Sequence, residues 1–334
     1  MLRLLLGMLG LAATAPAVGA DVCPQVRHQQ AAPAAATRIA AVACNEHLLW
    51  HRPFIDANGR IASATVSEAE ASRLADGSTA AWQRVATYWR DSGLLPRMIG
   101  FAGAPECGYA GPGLPAANNC RGFILDQPWS AAFISWVMRR AALPGFRGSA
   151  THFDYVRDAY LSPADSAFQF LDPVTSKPAS GDMLCYVRVP GRALGHDGLR
   201  QVLAGGDRGL PMHCEVVAAV NPGNDGIAYL VGGNVQQAVT MRMLPVNRAG
   251  LFWSLPLRSG TDPDCSPETP AACSFSRQDW AVLLKLKPAD ALAQLAPPLP
   301  TLSAPVLQTQ PACCVNCIVG AVPPVPRCPK PLLP

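Results

Sequence analysis

The period of the hydrophobic pattern changes near residue 180, and this change constrains the fold more than any other feature. Before it, apolar residues recur at helical spacing in 66–95, 130–142 and 151–161. After it, short runs of strand-forming residues follow at 182–189, 213–220, 226–233, 239–244 and 280–286. Helices that precede a set of strands, rather than alternating with them, predict an α+β fold with an antiparallel sheet.

The ends of the chain differ in composition from its middle. Residues 1–20, MLRLLLGMLGLAATAPAVGA, combine a basic residue, an apolar core and small residues, which predicts a signal peptide. An Ala-rich N-terminal extension follows at 21–65, and one domain is predicted at 66–287, with a loop at 96–125. Proline and cysteine dominate residues 288–334, which predicts a disordered or disulfide-tied tail.

Charge and hydropathy exclude two classes of partner. The formal net charge is only +4, and no basic stripe with interleaved aromatic residues is visible, so nucleic acid is not a predicted partner. The N-terminal apolar run is short for a membrane span, and no stable span is expected after signal cleavage. The sequence therefore predicts a periplasmic or secreted protein, and it does not indicate an oligomeric state.

Cysteine usage agrees with export, because all twelve cysteines follow the predicted signal peptide. Three disulfides are predicted, namely Cys23 with Cys44, Cys107 with Cys120, and Cys265 with Cys273. Cys185 and Cys214 lie inside apolar runs and are expected to be buried thiols. The tail segment CCVNC is also compatible with a metal site, but export favours disulfides.

Three polar residues follow one another in the order of a nucleophile, a base and a residue that orients the base. Ser130 begins a helix in PWSAAFISWV, where the helix dipole stabilises a developing negative charge. His213 begins the strand HCEVVAAV and can accept the proton. Asn234 ends the next strand and can hold the imidazole. Each also has a structural alternative: a helix N-cap, an ordinary strand residue and a turn residue, respectively.

Three further residues are predicted to support this site. Trp129 directly precedes Ser130, and Gln127 is a candidate donor to an oxyanion. Glu215 lies on the same face of its strand as His213. There it can raise the basicity of the imidazole or bind a cationic substrate group, although a solvated edge residue is an equal alternative.

Other polar residues carry weaker signals. His47 and His51 are four residues apart and would share a helix face, but no third ligand is nearby. His152 and Asp154 begin a helix, where capping groups are expected. The sequence therefore predicts neither a metal nor a cofactor.

The ordered motifs resemble those of the papain-like amidohydrolases of bacterial cell walls, of the CHAP and NlpC type. The segment PWSAAFISWV is similar to their Trp-Cys-Ala-x-Phe-Val, and SGDMLCYVR, MHCEVVAAV and GGNVQQAVTMR are similar to their later strands. As a whole, the chain looks most like a bacterial domain family of unknown function, over about residues 60 to 290. The resemblance implies a papain-like α+β fold with helices packed on an antiparallel sheet.

The resemblance also implies a function. It suggests an exported hydrolase of amide or ester bonds, acting on a cell-envelope polymer or peptide, with Ser130 in place of the catalytic cysteine. A hydroxyl, unlike a thiol, must be deprotonated during attack, so the exchange also permits a catalytically inactive domain that binds an envelope peptide or protein. A structural envelope protein is a third alternative, which only the tail supports. Whether the chain is an enzyme stays open at this point.

Overall fold

The structure is a computed structural model of the chain. It describes residues 21–109, 114–206, 209–253, 255–295 and 297. The predicted signal peptide, the four tail cysteines and most of the predicted tail lie outside the described residues.

Helices precede, interrupt and follow the strands. Those of the described chain are α1 (Cys23–Val26), α2 (Ala35–Leu49), α3 (Ala81–Asp91), α4 (Ala104–Cys107), α5 (Leu114–Asp126), α6 (Ser130–Arg140), α7 (His152–Leu161), α8 (Gly195–Ala204) and α9 (Ala289–Ala293). The predicted helices at 130–142 and 151–161 are confirmed, whereas the predicted helix at 66–95 is helical only in α3. None of the described helices is long and apolar enough to cross a bilayer.

Eight strands of the described chain form one sheet, in the order β2-β1-β7-β6-β5-β4-β8-β3. They are β1 (Phe54–Ile55), β2 (Ile61–Ala62), β3 (Phe168–Leu171), β4 (Met183–Val187), β5 (Met212–Val220), β6 (Ile227–Val235), β7 (Ala238–Pro245) and β8 (Asp279–Leu286). Their pairings are antiparallel except between β1 and β7. The predicted α+β class is confirmed, and each of the five predicted strand runs forms a strand.

The predicted loop at 96–125 is wrong, because its second half forms α5. The sequence LPAANNCRGFILD carries Pro, Gly and two Asn, which are poor helix formers. Tertiary contacts outweigh these propensities: the Cys107–Cys120 disulfide fixes the helix to α4, and Phe123 and Ile124 are buried in the core.

The N-terminal extension is part of the same core as the rest of the described chain. Ile39 of α2 and the following Trp50 are buried there. Phe54 of β1 lies opposite Met241 of β7, so this segment also extends the sheet. Burial of such apolar side chains stabilises the fold by about 1.5–3 kcal/mol each.

The three predicted disulfides are present in the structure, and a fourth corrects the sequence interpretation. Cys23–Cys44, Cys107–Cys120 and Cys265–Cys273 are bonded as expected. Cys185 and Cys214 are not free thiols but a disulfide that joins β4 to β5. They are directly opposed in the antiparallel pairing, with their Cα atoms 4.1 Å apart. Strand register, which the sequence does not reveal, decides this contact.

The two faces of the sheet have different coverings. Cys214 and Val216 of β5 point into the main core, which the helices cover. Val217, by alternation, points to the opposite face, where a smaller apolar cluster includes Tyr186 and Trp280. His213 and Glu215 belong to this second face as well, since they alternate with Cys214 and Val216.

Candidate functional site

Ser130 is the first residue of α6, directly after Pro128 and Trp129. The helix begins here because the proline restricts the chain before it and an apolar stripe, with Phe133 and Val137 buried, follows. Trp129, not Ser130, occupies the N-cap position, and its side chain does not cap the helix. The N-cap alternative for Ser130 is therefore wrong: the residue is only 7% exposed, and its hydroxyl has a different partner.

That partner is His152, the first residue of α7. Ser130 Oγ and His152 Nε2 are 2.7 Å apart and form a hydrogen bond. The other ring nitrogen, Nδ1, forms a hydrogen bond with the Tyr155 hydroxyl, one helical turn further along. From the sequence alone, His152 was expected to be a capping group. The spacing of His152 and Tyr155, which puts both on one helix face, was the signal for this pair.

Burial keeps the imidazole of His152 neutral. Desolvation lowers its pKa to about 3, and the positive charge of Arg188 adds to the shift. Burial also lowers the pKa of His213 well below its usual range, with further contributions from His152, Arg242 and Arg188. Both imidazoles are therefore uncharged near neutral pH, so each has one nitrogen that can accept a proton.

His213 packs against His152 and forms no hydrogen bond with Ser130 through its Nε2 atom. The centroids of the two imidazole rings are 5.0 Å apart. The Nε2 atom of His213 is buried and has no hydrogen-bond partner among the described residues. Its nearest carboxylate oxygen is Glu215 Oε1, at 3.7 Å. The structure thus brings His213 to the Ser130 site through its contact with His152. The Nε2 atom of His213 has no hydrogen-bond partner there among the residues that the structure describes.

Glu215 is fully buried and forms an ion pair with Arg242 of β7. Arg242 Nη2 donates to Glu215 Oε1 over 2.8 Å, and Arg242 Nε donates to Oε2 over 2.9 Å. The guanidinium also lies over the Trp280 ring, 5.6 Å from its centroid. Glu215 is therefore not a solvated edge residue. Its ion pair with Arg242 compensates most of its negative charge, which weakens its electrostatic effect on His213.

Asn234 contacts the residue before Ser130 instead of His213. It has a left-handed backbone with φ of 57°, which asparagine tolerates, at an irregularity in the β6–β7 pairing. In the amide orientation that satisfies its neighbours, Nδ2 donates to Glu68 Oε2 over 2.8 Å, and Oδ1 accepts from the Trp129 backbone N–H over 3.3 Å. Asn234 therefore holds the start of α6.

Glu68 is a buried carboxylate that the sequence analysis did not single out. Trp129 Nε1 donates to its Oε2 over 2.6 Å, so Glu68 links Trp129 to Asn234. Burial raises the pKa of Glu68, and the Trp129 bond opposes this shift. The only sequence signal was an acidic residue at the edge of an apolar segment, which is usually a surface position.

Trp129 is buried in an aromatic cluster under the start of α6. Its ring stacks on Trp50 at a centroid distance of 5.8 Å and on Tyr88 at 5.6 Å. Trp50 Nε1 donates to the Tyr88 hydroxyl, which donates in turn to Glu46 Oε2 over 2.5 Å. The N-terminal extension thus supplies the support of the candidate site.

Two glycines let α6 approach the sheet. A Cβ atom on Gly233 would lie 2.4 Å from Phe133 Cγ, and one on Gly232 would lie 2.7 Å from Glu215 Cγ and 3.1 Å from His213 Nε2. The Gly-Gly pair therefore brings α6 against one face of β6 and the Glu215 and His213 side chains against the other face.

Gln127 stands at the end of α5, where its backbone N–H donates to Phe123 O over 2.9 Å. Its side chain is half-buried, and its role as an oxyanion donor stays a prediction.

The described residues contain one set of candidate metal ligands, formed by Asp21, Cys23 and His47. Cys23 is bonded to Cys44, so it has no thiolate to offer a cation. His51 instead contacts the Arg73 carbonyl at 3.0 Å. These residues do not fit a metal centre.

Comparison with known proteins gives a family. No curated protein and no solved structure matches the chain significantly. A family model described as "Uncharacterized protein conserved in bacteria (DUF2272)" matches residues 76–286. This segment contains Ser130, His152, His213 and Asn234, whereas Glu68 precedes it. Since the match covers more than half of the sequence, the chain belongs to this DUF2272 family of bacterial proteins.

Proposed function

We propose that the protein is an exported hydrolase of amide or ester bonds in a cell-envelope polymer or peptide, with Ser130 as its nucleophile. The observation that carries the proposal is the 2.7 Å hydrogen bond between Ser130 Oγ and His152 Nε2 at the start of a buried helix. A hydroxyl at a helix N-terminus, paired with a neutral imidazole, has the two features that acyl transfer by serine requires.

In the proposed reaction, Ser130 Oγ attacks the carbonyl carbon while its proton passes to a histidine. His152 takes the role that the sequence analysis gave to His213, because it is the imidazole in hydrogen-bond contact with the hydroxyl. Collapse of the tetrahedral intermediate breaks the bond to the leaving amine or alcohol, which receives that proton. Water then hydrolyses the acyl-serine, again with the imidazole as base.

The tautomer of His152 decides whether this step is possible. If Nδ1–H donates to the Tyr155 oxygen, Nε2 is free to accept the proton of Ser130. If the Tyr155 hydroxyl donates to Nδ1, Nε2 carries the hydrogen and donates to Ser130, which blocks base catalysis. The proposed reaction therefore uses the first tautomer, with Tyr155 in the orienting role that Asn234 had in the sequence analysis.

The developing oxyanion requires donors near the start of α6. The backbone N–H of Ser130 is one candidate, and the Gln127 side chain, three residues upstream, is another. Glu68 and Asn234 fix the position of Trp129 and hence of this first turn.

The order of elements supports a papain-like relationship. A nucleophile at a helix N-terminus, followed by antiparallel strands that carry His213 and Asn234, is the arrangement implied by the CHAP and NlpC resemblance. Two departures count against a simple transfer of that mechanism: Ser130 replaces cysteine, and the contacting histidine lies on a helix.

Export is part of the proposal. The four disulfides of the described chain are compatible with a periplasmic or extracellular protein, since such bonds persist in oxidising compartments.

One observation favours the alternative of a non-catalytic binding domain. A pKa of about 3 makes His152 a weak base, and among the described residues no carboxylate is hydrogen-bonded to its ring to stabilise the imidazolium. In that case the Ser130–His152 bond is structural, and the domain binds an envelope peptide or protein without cleaving it.

A fluorophosphonate probe distinguishes the two functions, because it reacts only with an activated serine. Labelling of the wild type at Ser130, lost in Ser130→Ala and retained in the buried control Ser135→Ala, supports the hydrolase. Absence of labelling in a folded protein that cosediments with purified cell-wall polymer supports the binding domain and overturns the hydrolase.

A further inference from the structure

A cleft at the C-terminal end of α6 is separate from the Ser130 site. Its volume is about 760 Å³, which is the size of a small-molecule site. Phe146 and Gly148, from the segment between α6 and α7, contribute to its wall. Ser130 lies at the opposite end of α6, about 13 Å away along the axis at 1.5 Å per residue.

Basic side chains from separate parts of the fold converge on this cleft. Each comes from a different part of the chain: Arg97 after α3, Arg139 in α6, Arg147 between α6 and α7, Arg157 in α7, and Lys287 directly after β8. Because these residues are distant in sequence, the cleft is a product of folding and not one basic run of the chain.

Some of these charges already have partners inside the cleft. Arg157 pairs with Asp154 at 3.2 Å. Lys287 Nζ donates to the Pro163 carbonyl over 2.6 Å, and Arg139 donates to the Ser92 carbonyl over 3.4 Å. A carbonyl group satisfies a donor of Lys287 without neutralising its positive charge.

Arg97 and Arg147 are exposed, and neither forms an ion pair with a residue that the structure describes. Among the described residues that line the cleft, the acidic side chains are Asp154, Asp158 and Asp165, so the basic groups are in excess, five against three. A concave site with this excess concentrates anions, and arginine recognises carboxylate and phosphate oxygens through paired N–H donors.

We propose that this cleft binds an anionic ligand with at least two acidic groups, which are carboxylates or phosphates, held by Arg97 and Arg147. The proposal is independent of the hydrolase, because none of the residues used here belongs to the Ser130 site. The two sites are nevertheless connected through α7, which carries His152 and Tyr155 on one face and Asp154 and Arg157 on another.

Calorimetric titration with citrate and with pyrophosphate tests the proposal on the full chain. Citrate presents carboxylates and pyrophosphate presents phosphates, so the two arms identify the preferred acidic group. Binding of either anion is expected, and the double variant Arg97→Ala/Arg147→Ala should weaken it by about tenfold or more, because two charge-assisted contacts are lost.

The control is a second double variant, Arg60→Ala/Arg248→Ala, which removes two exposed arginines outside the cleft. This control and Ser130→Ala should bind as the wild type does, with unchanged circular dichroism in all three variants. The proposal is overturned if neither anion binds the wild type, or if the control weakens binding as much as the cleft variant does.

Discussion

Ser130 Oγ and His152 Nε2, at the first residues of α6 and α7, are joined by a hydrogen bond of 2.7 Å, and the His213 ring packs against the His152 ring at a centroid distance of 5.0 Å. This bond joins the starts of two helices that lie 22 residues apart in sequence. It also orders the two histidines: His152 contacts the hydroxyl, and His213 contacts His152.

This order predicts different effects for the two histidines. His152→Gln should slow fluorophosphonate labelling of Ser130 by about 100-fold or more, since general-base contributions are of that size. His213→Gln should slow it less, because His213 Nε2 forms no hydrogen bond with the hydroxyl in the structure. Labelling kinetics of both variants measure this difference. A larger effect at His213 would restore the assignment made from the sequence.

The buried histidines predict a loss of stability in mild acid. The folded protein holds His47, His152 and His213 neutral, with the pKa of His47 lowered to about 4 and that of His152 to about 3. In the unfolded chain they titrate near pH 6.5. Their contribution to the free energy of unfolding is therefore complete above pH 6.5. It is lost as the pH falls from 6.5 towards the pKa values of the folded protein.

Urea unfolding at pH 7.5, 6.5 and 5.5 measures this loss. Below about pH 6.5, each buried histidine should lower the free energy of unfolding by up to about 1.4 kcal/mol per pH unit. His152→Gln should reduce the slope of the free energy of unfolding against pH by the equivalent of about one proton taken up on unfolding. The exposed control His28→Gln should leave this slope unchanged. A flat profile across this range would contradict the burial of neutral imidazoles.

The close approach of α6 to β6 predicts an asymmetric response to two Gly→Ala substitutions. Gly233→Ala should destabilise the protein by about 1–3 kcal/mol, because the added methyl group overlaps Phe133. A Cβ atom at Gly122 in α5 meets no atom of the described residues within 4 Å, so Gly122→Ala should stabilise the protein by about 0.5–1 kcal/mol. Thermal unfolding of both variants checks the sign, and equal effects would mean that α6 can move away from the sheet.

The Glu215–Arg242 pair predicts strong coupling between β5 and β7. Glu215→Gln and Arg242→Met should each cost about 3–5 kcal/mol, since each leaves a buried partner uncompensated. The double variant Glu215→Gln/Arg242→Met should cost less than the sum of the two single variants, because neither charge is left alone. A double-mutant cycle by urea unfolding measures the coupling energy, and additive effects would show that the two charges are solvated independently.

The sequence predicted those elements whose stability comes from their own pattern. The strand runs and the helices α6 and α7 carry continuous apolar patterns, so local reasoning finds them. Helix α8 was missed because its N-terminal N–H groups are capped from far away: Asp279 accepts from the backbone of Leu194 and Gly195, over 2.6 and 2.7 Å. No local signal indicates such a cap.

The candidate site was predicted only in part, because some of its residues follow from a local pattern and others from contacts between distant segments. Ser130 is recognisable from its helix start, and His213 and Glu215 share a face as strand alternation requires. The partner of Ser130 depends on how α7 packs against α6, which no spacing in the sequence encodes. Asn234 was assigned to the imidazole because Glu68, its actual partner, lies in a segment that was predicted to be helical and that the structure shows to be irregular before α3.

The Cys185–Cys214 bond has a consequence for assembly of the sheet. Slippage of a strand by one residue reverses which face each of its side chains occupies. In a slipped pairing, Cys214 would leave its position opposite Cys185, and Glu215 would turn away from Arg242. Oxidation of the two thiols therefore selects the native strand register, because the disulfide forms where the two cysteines are opposed. A chain produced where thiols stay reduced loses this check, and misaligned sheets can then persist.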